Sequence, residues 1–387
     1  MDLDAAKTRV QEEVDRRADL LLEVSHRIHG HPELVFEERF AADLLASALG
    51  TEAGVYGLDT AFEARTGSGD GANVAVICEY DALPGIGHGC GHNVIAAAGL
   101  GAGLAAATVA EEAGGRLVVL GTPAEEGGGG KVLMAERGAF DGVDAALMVH
   151  PAGADLTEAD VIAIATWRVE YVGRGAHAAA APQQGRNALD AMVLGYNAVA
   201  ALRQHIAPTE RVHGVFTKAG DKPNIVPDHT VAEWYVRSAT LESLQALKMR
   251  VQACLEAGAA AAGCRLEIHP TCPEYSHLST NPVLRDLYAA NSLALGRPVA
   301  HPNPGTRVVA STDMGNISQL VPSIHPMIAV APPDVALHTA EFARWAASSE
   351  GDRAVLQGAK AMAMTVVDLW LAPGAVGEVR AAFGSGP

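Results

Sequence analysis

Short runs of apolar residues, separated by stretches of helical periodicity and in several cases closed by glycine- or proline-rich turns, constrain this chain more than any other feature. Residues 74–78, 117–120 and 145–149 are too short for buried helices and suit buried strands. A helical pattern precedes His26, and an alanine-rich one starts at Val94. This alternation predicts an α/β fold around a central parallel or mixed sheet. Ligands in open α/β sheets collect at strand ends, so chemistry is expected in the turns that follow these runs.

The pattern changes near Ala165. A strand (TWRVEYVG) leads through a glycine-rich turn to a long helix at 187–205, strands at 212–217 and 231–237, a helix at 241–261 and a strand at 265–269. That order is a ferredoxin-like α+β unit. It places an inserted domain at 165–275 within a catalytic domain formed by 1–164 and 276–387. A chain of 387 residues is long enough for both cores. After the insertion come a strand at 327–331 and one helix at 340–371. The final APGAVGEVRAAFGSGP reads as weakly ordered.

Charge and patterning exclude several classes. Lys and Arg number 28 against 45 Asp and Glu, a formal charge of -17, which argues against a nucleic-acid partner. The first residues form an amphipathic surface helix rather than a signal sequence, and stretches such as 94–110 are too rich in Ala and Gly for a membrane span. A cytoplasmic protein with no membrane segment is expected. Its five scattered cysteines are expected to be reduced thiols rather than a disulfide framework.

The densest cluster of reactive side chains is EYDALPGIGHGCGHN, residues 79–93, directly after a predicted strand. It offers Asp81, His88, Cys90 and His92 on a glycine-rich loop, a composition that suits a zinc-like ion as well as it suits a structural turn. GTPAEEGGGGK, residues 121–131, follows another strand and carries Glu125 beside Glu126. One such acid can ligate a metal while its neighbour takes a proton from activated water; the alternative is an exposed acidic loop. A Walker loop is excluded because Glu125 stands where its first glycine belongs and Val132 follows Lys131. Cys90 and Leu104 break the dinucleotide fingerprint in the same way. His150 (LMVHP) and His338 (ALHTAEF) stand at a strand end and a loop, where an isolated histidine is usually structural.

Together these segments, with HRIHGHPELVFEE, GRGAHAAAAPQQGRNALDA and STDMGN, resemble the dinuclear metallopeptidase family of aminoacylases, glutamate carboxypeptidases, hippurate hydrolases and auxin-conjugate amidohydrolases. The likeness covers nearly the whole chain. It is greatest to the branch with aminobenzoyl-glutamate hydrolase and a β-alanyl-lysine dipeptidase. The resemblance implies that Cys90, His92, Glu126, His150 and His338 hold two divalent ions, Zn or Mn, with the Cys90 thiolate bridging. It makes Glu125 the general base. It assigns to His177 the stabilisation of the tetrahedral intermediate in a neighbouring subunit, and to Asn224 and Arg237 a grip on the substrate. The inserted domain becomes a lid that also forms a homodimer. Many relatives have Asp where this chain has Asn93, so an altered metal affinity is expected, although the aminobenzoyl-glutamate branch shares the Asn.

The implied activity is hydrolysis of an amide bond in a small N-acyl amino acid, aminobenzoyl-glutamate-like conjugate or dipeptide. Within the family the alternative is an aminoacylase of N-acyl amino acids. Outside it, the alternative is an inactive metal-binding scaffold or regulatory module.

Overall fold

The computed structural model describes residues 1–302 and 309–383. The chain forms two compact units, Met1–Asp160 with Leu278–Pro387, and Val161–His277. The principal strands in chain order are β1 (Phe62–Thr66), β2 (Asn73–Glu79), β3 (Arg116–Thr122), β4 (Ala145–Leu147), β5 (His150–Ala152), β6 (Ala163–Val172), β7 (Arg211–Lys218), β8 (His229–Ser238), β9 (Arg265–Pro270), β10 (Ser323–Ile324) and β11 (Met327–Ala329).

In the first unit the sheet order is β1-β3-β2-β4-β10. β2 runs parallel to β3 and β4, β10 runs parallel to β4, and β1 closes one edge antiparallel to β3. β2 is buried along its whole length because both sheet faces are covered. Its alternate residues feed two separate cores: Val74, Val76 and Cys78 pack into one, Ala75 and Ile77 into the other. The first core includes the helix His92–Ala107, whose small residues let it lie close on the sheet. A Cβ on Gly99 would stand 2.6 Å from the Ile77 carbonyl oxygen.

Two expectations about the C-terminal part fail. The helix anticipated at 340–371 is two helices, Ala340–Ala346 and Ser349–Leu371, because the Ser348 side chain accepts from the Glu350 N–H and starts the second. The tail expected to be weakly ordered forms a helix, Ala375–Ala382. There Val379 is buried and its carbonyl accepts from Asn281 Nδ2 at 2.9 Å. The last four residues of that expected tail, 384–387, lie outside the described residues. Ser349–Leu371 is long and apolar enough to cross a membrane, yet it serves as a core helix, packed on the helices His92–Ala107 and Leu3–Arg16.

The second unit is a four-stranded sheet of order β9-β6-β8-β7 in which all neighbours are antiparallel. Helices Ala188–Leu202 and Leu241–Ala262 pack on each other and on the sheet, enclosing Trp167, Tyr171, Trp234, Leu244 and Leu255. This is the ferredoxin-like order that the element sequence implied. β7 is an edge strand, and most of its side chains are exposed.

Candidate metal centre

Four segments of the first unit bring reactive side chains together at strand ends. β2 ends at Glu79 and passes into the glycine-rich loop that carries Asp81, His88 and Cys90. His92 is the first residue of the following helix. β3 ends at Thr122, and the turn behind it presents Glu125 and Glu126. β5 begins at His150. His338 stands in the loop before the helix Ala340–Ala346, where its N–H donates to the Gly89 carbonyl. Ala124 and His338 both adopt left-handed backbone, φ 62 and 61, a conformation that costs a non-glycine residue about 1 kcal/mol. Strain of this kind clusters at functional sites.

The ligand atoms of Cys90, His92 and His150 lie within 4.8 Å of one another, as do those of Cys90, Glu126 and His338. Cys90 belongs to both groups, the position a bridging thiolate would occupy. Each imidazole in the first group is oriented by its other nitrogen. His150 Nδ1 faces the Pro151 carbonyl at 2.8 Å, which turns Nε2 toward Cys90 Sγ at 3.5 Å. His92 Nδ1 faces Asp81 Oδ1 at 3.0 Å, while Asp81 Oδ2 accepts the Glu126 N–H at 2.9 Å. A carboxylate behind a histidine in this way fixes its tautomer for metal binding.

Buried atoms without partners support the fit to cations. His92 Nε2, Glu126 Oε1 and Glu79 Oε1 are buried with no hydrogen-bond partner. Native structures rarely leave such atoms unsatisfied unless a bound ion or water serves them. His92 Nε2 comes within 3.0 Å of Glu79 Oε1, but without hydrogen-bond geometry.

The electrostatics fit the same picture. Burial, reinforced by the charges of Glu79, Glu126 and Asp313, holds the Glu125 carboxyl well above the usual carboxylate range. Burial also pushes the Cys90 thiol up, helped by Glu126, so a bound cation would have to displace its proton. Burial and then the neighbouring His92 bring His150 down to about 4, leaving it neutral and able to ligate near pH 7.

The five residues implied as ligands therefore converge, with Glu125 buried among them. His88 stands apart: its Nε2 faces the Ile28 carbonyl at 3.1 Å, and the residue belongs to neither Cys90 group. Asn93 Nδ2 donates to Ser25 Oγ and the Ala346 carbonyl, so it ties the helix start to its surroundings. Asp81 is the carboxylate that contacts His92.

His177, Asn224 and Arg237 belong to the second unit. His177 and Asn224 lie on adjoining backbone, where the Ala178 N–H donates to the Asn224 carbonyl at 3.0 Å, and both side chains are exposed. Arg237 is half-buried on β8 with its guanidinium 5.8 Å from the Tyr235 ring centroid.

Several buried polar residues near the centre were not nominated from the sequence. Lys131 is fully buried, bonded to Glu79 and to Asp313 Oδ1. His325 packs edge-on against His150 at 5.2 Å between centroids. Glu79 was legible only as the first residue of the cluster that follows the strand expected at 74–78. His325 offered no signal beyond being one of 15 histidines.

An α/β sheet that gathers thiol, imidazole and carboxylate groups at its strand ends has the construction of a metal-dependent hydrolase. The family model for peptidase family M20/M25/M40 matches residues 75–366, and the chain belongs to that family. Mouse (Mus musculus) Xaa-Arg dipeptidase is 37% identical over 99% of this chain and 93% of its own length. A p-aminobenzoyl-glutamate hydrolase polypeptide from Escherichia coli (strain K12) is 31% identical over 92% of this chain and 90% of its own. Among solved structures, an aminobenzoyl-glutamate utilization protein from Klebsiella pneumoniae aligns with a TM-score of 0.76 at 19% identity, covering 93% of this chain and 98% of its own. A dinuclear metal binding peptidase of family M20 from Bacillus subtilis aligns at 0.70 and 19% identity, covering 91% and 98%. The chain is thus a metal-dependent peptidase or amidohydrolase.

Proposed function

We propose that this enzyme hydrolyses dipeptides, or similarly small amides that release an amino acid, using two divalent ions that Cys90, His92, Glu126, His150 and His338 would hold. The observation that carries the reading is the membership of Cys90 in both ligand groups, with buried Glu125 beside them. Thiolate and imidazole suit zinc, while the carboxylates also suit manganese. Dipeptides ending in a basic residue are the first class to test, because the 37% identical relative is named for Xaa-Arg dipeptides. Aminobenzoyl-glutamate is the second.

Bound ions would supply Lewis-acid chemistry, polarising the scissile carbonyl and acidifying water. Glu125 takes the proton of the attacking water and passes it to the leaving amine, a task suited to a carboxylate whose proton affinity burial raises above the ordinary carboxylate range. His177 Nδ1 accepts from the Ala179 and Ala180 N–H groups at 3.3 and 3.1 Å, so the ring's N–H is on Nε2. That proton is free to donate to the oxyanion of the tetrahedral intermediate. Asn224 and Arg237 hold the substrate's carboxylate or carbonyl.

The second unit acts as lid and dimerisation element. Its edge strand β7 exposes Val215 and Phe216, and Val193 and Leu194 of the neighbouring helix are exposed as well. These residues form an apolar surface suited to a second copy of the chain.

The test is hydrolysis of Xaa-Arg and Xaa-Lys dipeptides, aminobenzoyl-glutamate and N-acetyl amino acids, with and without chelator, by wild type and Glu125→Gln. The expectation is chelator-sensitive cleavage by wild type and a fall of about 10²- to 10⁴-fold in the variant, with ion content intact. Undiminished cleavage under chelation, or normal rates in Glu125→Gln, would overturn the reading.

A further inference from the structure

Behind the two ligand groups lies a chain of buried charges that the proposed reaction does not use. The Lys131 ammonium is fully buried and bonded to Glu79 Oε2 and to Asp313 Oδ1, the latter at 2.8 Å. The Lys131 backbone N–H donates to Asp313 Oδ2 at 2.9 Å, so both oxygens of Asp313 are engaged by one residue. Glu79 differs. Its Oε2 is held by Lys131, but its Oε1 is buried without a hydrogen-bond partner and stands 3.0 Å from His92 Nε2.

A carboxylate that served only the fold would have both oxygens satisfied, since an unpartnered buried oxygen is costly. Here the oxygen not held by Lys131 faces a proposed ligand atom, within ion-pair distance. Glu79 also groups with His92 and Glu125, all three ligand atoms lying within 4.8 Å, but it belongs to neither Cys90 group. It is therefore grouped through His92 and Glu125 rather than through Cys90. His92 is consequently held between two carboxylates, Asp81 at Nδ1 and Glu79 beside Nε2.

Charge supports the same assignment. Glu79 and Asp313 together outweigh the single ammonium between them by one negative charge. The atom of Glu79 left free of the ammonium is the one beside His92, so that excess lies next to a cation site. Lys131 itself is a fixed cation that holds the other oxygen of Glu79.

We propose that Glu79, held by the Lys131 ammonium that Asp313 also binds, is a positioning residue of the metal centre that sets the His92 ring and adds a fixed negative charge beside its Nε2. This inference rests on the two-ion reading above. Removal of the charge should weaken ion binding by about 10- to 100-fold, the usual effect of losing a partner behind a ligand.

The experiment compares wild type, Glu79→Gln, Lys131→Arg and Lys131→Met. Ion affinity is read by chelator competition, and the visible spectrum of the cobalt-substituted protein is recorded alongside; neither depends on turnover. Glu79→Gln keeps the shape of the side chain, and circular dichroism checks its fold. The expected result is weaker retention and a shifted cobalt spectrum in Glu79→Gln, a comparable effect in Lys131→Met, and substantial recovery in Lys131→Arg, which retains the positive charge. Unchanged affinity and spectrum in a folded Glu79→Gln, with wild type binding two ions, would overturn this inference alone. A wild type that takes up no ion would overturn the two-ion reading and this inference together.

Discussion

Glu38 contacts none of the proposed ligands, yet it holds the turn that carries two acids of the site. One oxygen, Oε1, accepts from the Phe36 and Ala124 N–H groups at 2.8 and 2.9 Å, and Oε2 accepts from Thr60 Oγ1 at 2.9 Å. Phe36 and Ala124 both have positive φ, so a single carboxylate pins two strained residues, one directly before Glu125. Burial and then the charge of Asp81 raise the Glu38 carboxyl from 4.5 to about 7. A raised carboxyl favours folding in full below its unfolded value and loses that contribution as pH climbs through about 7. Wild type in chelator should therefore lose on the order of 3 kcal/mol between pH 4.5 and pH 8 relative to Glu38→Gln, which keeps an acceptor at Oε1 and cannot ionise. Parallel pH-stability curves in urea would contradict this. At this scale the sequence showed the groups that bear chemistry, because Cys90, His92, Glu125 and Glu126 sit in runs of reactive residues. It hid their supports. Glu38, Lys131 and Asp313 are charged residues with nothing local to mark them as buried, since their partners are distant in the chain.

Among the elements, the turn after β3 depends on a close approach of backbone to backbone. A Cβ on Gly130 would stand 1.9 Å from the Pro123 carbonyl oxygen, and the Gly128 and Gly129 N–H groups both bond to the Ala124 carbonyl. The glycine run at 127–130, which is not a phosphate loop, is thus a closure device bringing Glu125 and Glu126 to the strand end. Gly130→Ala should cost about 1–3 kcal/mol through forced backbone displacement, and should lower ion retention because Glu126 shifts with the turn. Thermal unfolding and elemental analysis check both; unchanged values in either would contradict the closure role. The buried strands were readable because runs such as NVAVICE have one interpretation at that length. The break at Ser348 was not, because a serine between two apolar helical patterns also suits a continuous helix until its side chain is seen capping the second. The helix Ala375–Ala382 was missed for a related reason. Its flanking Gly and Pro suggested disorder, while Val379 is buried in the core and its carbonyl is bonded by Asn281, nearly a hundred residues away.

For the molecule as a whole, the α/β sheet gathers segments from 79–93, 121–131, 150 and 338, and only their convergence gives any one of them a metal-binding meaning. His150 and His338, unremarkable in sequence, acquire it through the shared neighbour Cys90. Cys90 belongs to both ligand groups, so its loss should disable both. The most direct test is elemental analysis of wild type and Cys90→Ala after reconstitution with Mn or Zn, with dipeptide cleavage measured on the same samples. Wild type should hold about two ions per chain, and the variant should retain fewer than about one and lose cleavage. A Cys90→Ala protein that keeps the full complement of ions and cleaves at the wild-type rate would contradict the account.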